Sequence, residues 1–178
     1  VYKTDNEKHI INSYDTEAAP WGNTHRDGFY QIEKRPHIAG MFIWTGFDYR
    51  GEPPPYEFPS IGTQFGIMDT CGFKKDAFYL NKAFFTYEPL IHVLPHWNWN
   101  EDETVKVMVH TNCTEAEIFL NGESLGKKQV HRYDMAEWEV FYRKGTLTAR
   151  GYINGECVCE DSVTTSKTPA RLILESVY

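Results

Sequence analysis

The sequence predicts an α/β half followed by an all-β half within one chain of 178 residues. Three observations carry that expectation. A continuous apolar run, Ile38 to Trp44, stands between two segments of helical periodicity. A long loop rich in Gly and Pro follows the run directly. Beyond Trp99, short segments alternate apolar and polar residues and are punctuated by Asn-Gly pairs.

Taken in order, residues 1–22 show no sustained period and carry the turn formers Asn12, Ser13, Pro20 and Gly22, so they read as an extended loop. From Thr24 to Lys34, Phe29, Tyr30 and Ile32 sit in a polar frame; Asn23 or Thr24 can cap a helix that ends before Pro36. Ile38–Trp44 has strand length and no polar face, as a parallel strand buried on both sides would. The loop 45–75 then leads to a helical pattern from Asp76 to Tyr87, with apolar residues at 77, 78, 80, 83, 84 and 87, stopped at Pro89. Helix, buried strand, long loop and helix make the rhythm of (β/α) units, in which the functional loop follows a strand's C-terminal end. Two or fewer such units cannot close a barrel or bury their strand, so this half needs more chain or a partner.

The second half changes grammar. Val105, Val107 and Val109 alternate with Lys106, Met108 and His110, and Asn121-Gly122 and Asn154-Gly155 are hairpin signals. Strand-like runs at 104–111, 116–120, 137–142, 146–153, 156–164 and 170–175 have the spacing of a β-sandwich. The division expected is residues 1–90, a linker at 91–102, and a sandwich at 103–178.

Composition excludes several classes. Net charge is −7, with no basic stripe, and the longest basic clusters are Lys74-Lys75 and Lys127-Lys128; clustered cations for a nucleic-acid partner are lacking. No apolar run reaches membrane-spanning length. The aromatic share is 15%; most rings serve cores, but Trp and Tyr also offer flat faces to pyranose C–H groups. Of the cysteines, Cys157 and Cys159 share one face of a strand-like stretch, and neither they nor Cys71 and Cys113 have zinc spacing, so buried free thiols are expected. Asn112-Cys113-Thr114 matches the glycosylation sequon, a weak three-residue signal. His92 and His96 are four apart, but Pro95 between them rules out a chelating helix, so they read as structural. No metal and no cofactor is expected.

The block that carries chemistry is Gly40-Met-Phe-Ile-Trp-Thr-Gly-Phe-Asp-Tyr-Arg-Gly-Glu-Pro53. It delivers Trp44, Asp48, Tyr49, Arg50 and Glu52 at a strand's C-terminal mouth, where barrel enzymes keep their sites. The plainer alternative makes Trp44 a cap on the core and pairs Asp48 with Arg50.

This block closely resembles the eighth barrel strand of family 2 glycoside hydrolases, especially the bacterial β-galactosidase type. The resemblance continues through Phe58-Pro59-Ser60, Phe65-Gly66-Ile67-Met68-Asp69, Gly72-Phe73-Lys74-Lys75-Asp76-Ala77-Phe78-Tyr79 and Pro95-His96-Trp97-Asn98-Trp99. Ser13-Tyr14-Asp15 and Pro20-Trp21 look like the stretch after the seventh strand. Thr111-Asn112-Cys113, Ile118-Phe119-Leu120-Asn121-Gly122, Gly145-Thr146-Leu147 and Gly151-Tyr152 resemble the immunoglobulin-like domain that follows. The resemblance implies the C-terminal fragment of a TIM (β/α)8 barrel followed by an immunoglobulin-like β-sandwich.

It also implies chemistry. The family cleaves with a general acid and a nucleophile about 5 Å apart, retaining the anomeric configuration. Both are glutamates, at the fourth and seventh strands, and are expected before Val1. Asn6-Glu7 and Asn100-Glu101 have the acid's dipeptide but sit in polar surroundings. Substrate contacts fall on Trp44, the subsite floor, with Asp48, Tyr49 and Glu52 in the loop after it; Asp48 either orders the loop or reaches a sugar hydroxyl. The glucuronidase branch holds its sugar carboxylate with an Asn-x-Lys pair, and near Thr63-Gln64-Phe65 no Lys occurs, so a neutral sugar, galactose first, is expected. Phe58 and Phe85 stand where the family usually has Trp, and Arg143-Lys144-Gly145 replaces the commoner Pro-Gly turn. The expected partners are a carbohydrate and the rest of a parent chain, with homo-oligomers compatible; relatives suggest a periplasmic or secreted location. Two other readings stand beside this one: a non-catalytic carbohydrate-binding or structural sandwich, and a β-mannosidase-type specificity.

Overall fold

The computed structural model describes residue 5, residues 7–54 and 56–169, residue 171 and residues 173–175. Helix α1 (His25–Glu33) begins at Thr24, whose side chain accepts from Asp27 N. A second acceptor reinforces that end: the buried Asp15 carboxylate takes the amides of His25 at 2.6 Å and Arg26 at 3.0 Å and pairs with the Arg26 guanidinium at 3.3 Å. Helix α2 (Asp76–Phe85) stops two residues short of the predicted Tyr87, because Thr86 turns to an extended conformation ahead of Pro89. The helices pack through Phe29 stacked on Phe84 at 3.9 Å, with His25 Nδ1 against Asn81 at 2.7 Å.

Ile38–Trp44 corrects the expectation of a buried strand. The segment carries no strand assignment, and Phe42 and Trp44 are exposed. A parallel strand needs neighbours on both edges. Among the described residues only a parallel bridge between Phe47 and Met68 forms, just past the apolar run. The barrel itself is therefore not displayed; in the apolar run Ile38, Phe42 and Trp44 are exposed, while Met41 and Ile43 are partly buried, Met41 beside Gly28 of α1.

The remaining elements are strands: β1 (Ile91–Leu94), β2 (Thr104–Thr111), β3 (Glu115–Leu120), β4 (Glu123–Gln129), β5 (Ala136–Phe141), β6 (Thr146–Ile153) and β7 (Glu156–Thr164). They make two antiparallel sheets, β1-β2-β5 and β4-β3-β6-β7. Alternation places Ile91, Val93, Val105, Val107, Val109, Trp138 and Val140 of the first sheet against Ala116, Ile118, Leu120, Leu147 and Ala149 of the second, and Trp97 completes this core. The segment 91–102 is corrected: Ile91–Leu94 is a sandwich strand in register with Leu94↔Met108 and Ile91↔Thr111. β4 went unpredicted because Glu-Ser-Leu-Gly-Lys-Lys-Gln is an exposed edge strand with little alternation. Of the strand expected at 170–175, Arg171 and residues 173–175 carry none; residues 170 and 172 lie outside the described residues.

The opposite face of β1-β2-β5 carries His92, Leu94, Met108 and His110, and Tyr14 and Met135 cover Leu94 and Met108. His92 Nε2 meets Asp76 of α2 at 2.9 Å, and its Nδ1 meets Asp161 of β7 at 3.1 Å. Asp76 also accepts from Ser13 Oγ at 3.0 Å, and Asp161 from Val93 N at 3.0 Å. One imidazole thus ties loop, helix and both sheets together. A second contact joins Phe84 to Tyr133 at 5.5 Å, with Arg132 over both rings. The thiols correct another expectation: Cys113 is buried and Cys159 partly so, but Cys71 and Cys157 are exposed. The sequon asparagine is occupied: Asn112 Nδ2 donates to Thr86 O and Glu88 O, and its Oδ1 accepts from Leu90 N.

Candidate active-site loop and its relatives

Three of the four residues singled out from the sequence come together. Trp44 is 71% exposed, and its indole N–H donates to the Tyr49 hydroxyl at 3.0 Å. Tyr49 in turn donates to a Glu52 carboxylate oxygen. The Trp44 and Tyr49 rings meet edge to face at 6.2 Å, and Tyr49 meets Phe65 likewise. The hydrogen bond to Glu52 raises the Tyr49 pKa above its usual value, since the carboxylate holds the proton on the phenol. Tyr49 therefore stays a donor near neutrality and keeps its lone pairs for Trp44. The result is a rigid, solvent-facing indole beside a carboxylate, a pairing suited to a sugar's C–H face and its hydroxyls.

Asp48 lies on the other side of the loop. Its side chain is largely buried and paired with Lys75 at 2.6 Å, and it accepts from Gly66 N at 2.8 Å and Thr63 Oγ1 at 3.4 Å. Lys75, not Arg50, is its partner. These bonds position Asp48 to order the loop. Two hydrogen bonds tie Tyr49 to Thr63, from Tyr49 N to Thr63 Oγ1 at 3.0 Å and from Thr63 N to Tyr49 O at 2.8 Å. Gly66 is held to glycine by crowding alone: a Cβ there would meet Asp48 N at 2.3 Å and Phe47 C at 2.5 Å. Lys75, Thr63 and Gly66 had no motif to mark them, since each matters only through a contact that crosses the loop.

No carboxylate with the marks of a general acid appears among the described residues near this loop. Glu101 is exposed and paired with Lys144 at 2.9 Å, which lowers its pKa, opposite to what an acid catalyst needs. Glu7 is exposed, and Asn6 lies outside the described residues. No group of three or more His, Cys, Asp or Glu able to hold a metal occurs among the described residues, and no helix is long and apolar enough to cross a membrane. On the sandwich, a shallow groove of about 520 Å³ is lined by His96, Asn98, Trp99, Glu103, Tyr142 and Lys144. There His96 and Trp99 stack on each other at 5.2 Å, and the Trp99 indole N–H is spent on His96 O.

Comparison with known proteins agrees with this layout. A family described as a domain of unknown function (DUF4982) matches residues 102–159, most of the sandwich. The β-galactosidase BoGH2A of Bacteroides ovatus is 36% identical over 164 residues, 91% of this chain and 19% of that protein. A putative β-glucuronidase of Formosa agariphila is 41% identical over 145 residues, 77% of this chain and 14% of its own length. Among solved structures, a β-glycosidase from Bacteroides vulgatus superposes with a TM-score of 0.83 at 32% identity, over 92% of this chain and 21% of that one. A glycosyl hydrolase family 2 member from Bacteroides cellulosilyticus gives 0.74 at 27% identity, over 94% of this chain and 26% of that one. The chain thus spans about a fifth of the length of the relatives it matches. With the Trp44 loop and the sandwich matched together in one order, the chain belongs to glycoside hydrolase family 2.

Proposed function

We propose that this chain supplies the last stave of a (β/α)8 barrel and the sandwich behind it to a retaining exo-glycosidase, and that its Trp44 forms the floor of the subsite for the terminal sugar. The observation that carries this is the hydrogen-bonded chain from the exposed Trp44 through the half-buried Tyr49 to the exposed Glu52, at the end of an apolar segment that carries no strand assignment. The glutamate pair that breaks the glycosidic bond stands elsewhere in the longer protein, so this stretch by itself is inactive.

The sugar is neutral, galactose first. Thr63, Gln64 and Phe65 provide no cation, and the nearby Lys75 is neutralised by Asp48 at 2.6 Å and held by Gln64 O at 2.9 Å. A uronate needs an unspent cation. The similarity to a putative β-glucuronidase favours the competing assignment, so substrate choice is the test. In the longer protein, nitrophenyl β-galactoside should be turned over and nitrophenyl β-glucuronide should not. Trp44→Ala should lower kcat/KM roughly 100-fold, on the order of 3 kcal/mol of transition-state binding, while the sandwich stays folded. Preference for the glucuronide would overturn the sugar assignment. Unchanged kinetics in the variant would remove Trp44 from the site.

A further inference from the structure

Gly151 of β6 lies at one end of the core, its Cα paired with Ala116 of β3 on one side and Cys159 of β7 on the other. Two sulfurs converge on the space where a side chain would stand. A Cβ at 151 would be 2.7 Å from Cys113 Sγ and 2.7 Å from Cys159 Sγ. The two Sγ atoms are 3.5 Å apart, from residues 46 positions apart in sequence. Cys113 is buried just ahead of β3 with its sulfur 3.9 Å from Leu90 O, at the junction of the helical half and the sandwich; Cys159 is partly open to solvent. A free thiol elsewhere on the surface would have no reason to face another across a residue that must be glycine.

We propose that Cys113 and Cys159 are a disulfide site, oxidised by a small-molecule or protein disulfide, and that the bond staples the edge strand β7 to the β2–β3 turn across Gly151. The Cys159 thiolate attacks the oxidant's disulfide and expels one thiolate. Cys113 then attacks the mixed disulfide at Cys159 Sγ and expels the second. The S–S bond formed replaces the S–S bond broken, two electrons pass to the oxidant, and the two thiol protons leave with its two thiols. Burial and the neighbouring Cys113 push the Cys159 thiol up to about 12, so the exchange is slow near neutrality. The exposed Cys157, two residues away, is the natural competitor.

The test is made on the full protein carrying this chain, incubated with oxidised glutathione, blocked with an alkylating reagent and digested for mass spectrometry. A peptide containing Cys113 should be found linked to the one containing Cys157 and Cys159. The link should survive in Cys157→Ser and vanish in Cys159→Ser. Reductant should lower the sandwich's unfolding midpoint by several degrees in the wild type, and by none in Cys113→Ser. Alkylated Cys113 after oxidation of the wild type, or a link that persists in Cys159→Ser, overturns the proposal.

Discussion

Replacing His110 by leucine should make the sandwich more stable in mild acid, although it removes a polar residue that stands opposite the ion-paired His92. His110 is fully buried on β2, opposite His92 of β1, and neither ring nitrogen has a hydrogen-bond partner. Burial, helped by the charge on His92 and by Arg26 of α1, pushes its pKa down to about 3, against a weaker upward pull from Asp76 of α2. The folded protein therefore keeps the imidazole neutral where the unfolded chain, with an ordinary value near 6.5, takes a proton. Stability from this group is intact above about pH 6.5 and falls as pH drops, by about 1.4 kcal/mol per unit well below that value. At pH 5 the loss is about 2 kcal/mol.

The groups facing His110 act in other windows. His92 is raised by its hydrogen bonds to Asp161 and Asp76, which outweigh burial, so its contribution is fully present below 6.5 and is lost as pH rises through its folded value. Asp76 and Asp161 are lowered by their bonds to His92 against desolvation, so theirs is present above 3.8 and is lost only below it. Between pH 6.5 and 5 the acid-side loss traced to this cluster is that of His110. In His110→Leu it should disappear, and relief of an unpaired ring nitrogen should add about 1–3 kcal/mol at any pH, less up to about 1.5 for repacking. Urea unfolding followed by the fluorescence of the buried Trp97 and Trp138 at pH 8 and pH 5 gives both numbers. An acid slope in the variant equal to that of the wild type would refute the reasoning. So would a loss of more than about 2 kcal/mol at pH 8, since it would mean the ring makes bonds that matter.

Other perturbations separate the parts. His92→Ala leaves two part-exposed carboxylates facing one site and should cost about 2 kcal/mol after solvent screening, with α2 released first in limited proteolysis. Asp48→Asn should loosen the loop 45–75, read as new protease sites there, while the sandwich's unfolding midpoint stays put. Tyr49→Phe removes the acceptor of the Trp44 indole and should raise KM for a galactoside in the longer protein more than it lowers kcat. Asn112 should remain unmodified when the protein is secreted from a eukaryotic host, and Asn112→Ala should destabilise by about 2 kcal/mol because Leu90 N loses its partner and two carbonyls lose a donor; a glycosylated Asn112 in mass spectra would contradict its bonding.

What could be read beforehand depended on whether a residue's role was local. The helical period and caps marked α1 and α2, and alternation marked β2, β3, β5, β6 and β7, because each of those buries one face against its own neighbours. β4 gave no signal, since only Leu125 of it turns to the core and the rest is exposed, and β1 was hidden among the prolines of 89–95. Ile38–Trp44 failed in the opposite sense: its composition announces a buried strand, yet a strand exists only when something pairs with it. Trp44, Tyr49 and Glu52 were legible because they fall within nine residues of one motif. The bond between Asp48 and Lys75, 27 positions apart, and the ties from His92 to Asp76 and Asp161 were not.

Those long-range bonds say what the sandwich is for. Lys75 and Asp76 are adjacent at the start of α2, and they face different ways. Lys75 holds Asp48 and the carbonyl of Gln64, and so the loop that carries Trp44. Asp76 holds Ser13 and His92, and so the sandwich. Any shift of the sandwich against α2 is passed through one peptide unit to the loop. An exposed indole can serve as a subsite floor only if its backbone is fixed to a fraction of an ångström. Trp97, Trp138 and Tyr142 of the sandwich are buried, Trp99, Phe119, Tyr133 and Tyr152 are partly so, and the exposed Phe141 stands without a row of others. We therefore infer that the sandwich works as a buttress for the loop, and not as a separate sugar-binding module. On that account Asp76→Asn, which leaves every residue of the Trp44 cluster untouched, should weaken kcat in the longer protein. If it lowers only the sandwich's stability and leaves turnover intact, the buttress argument fails and the sandwich is an independent domain.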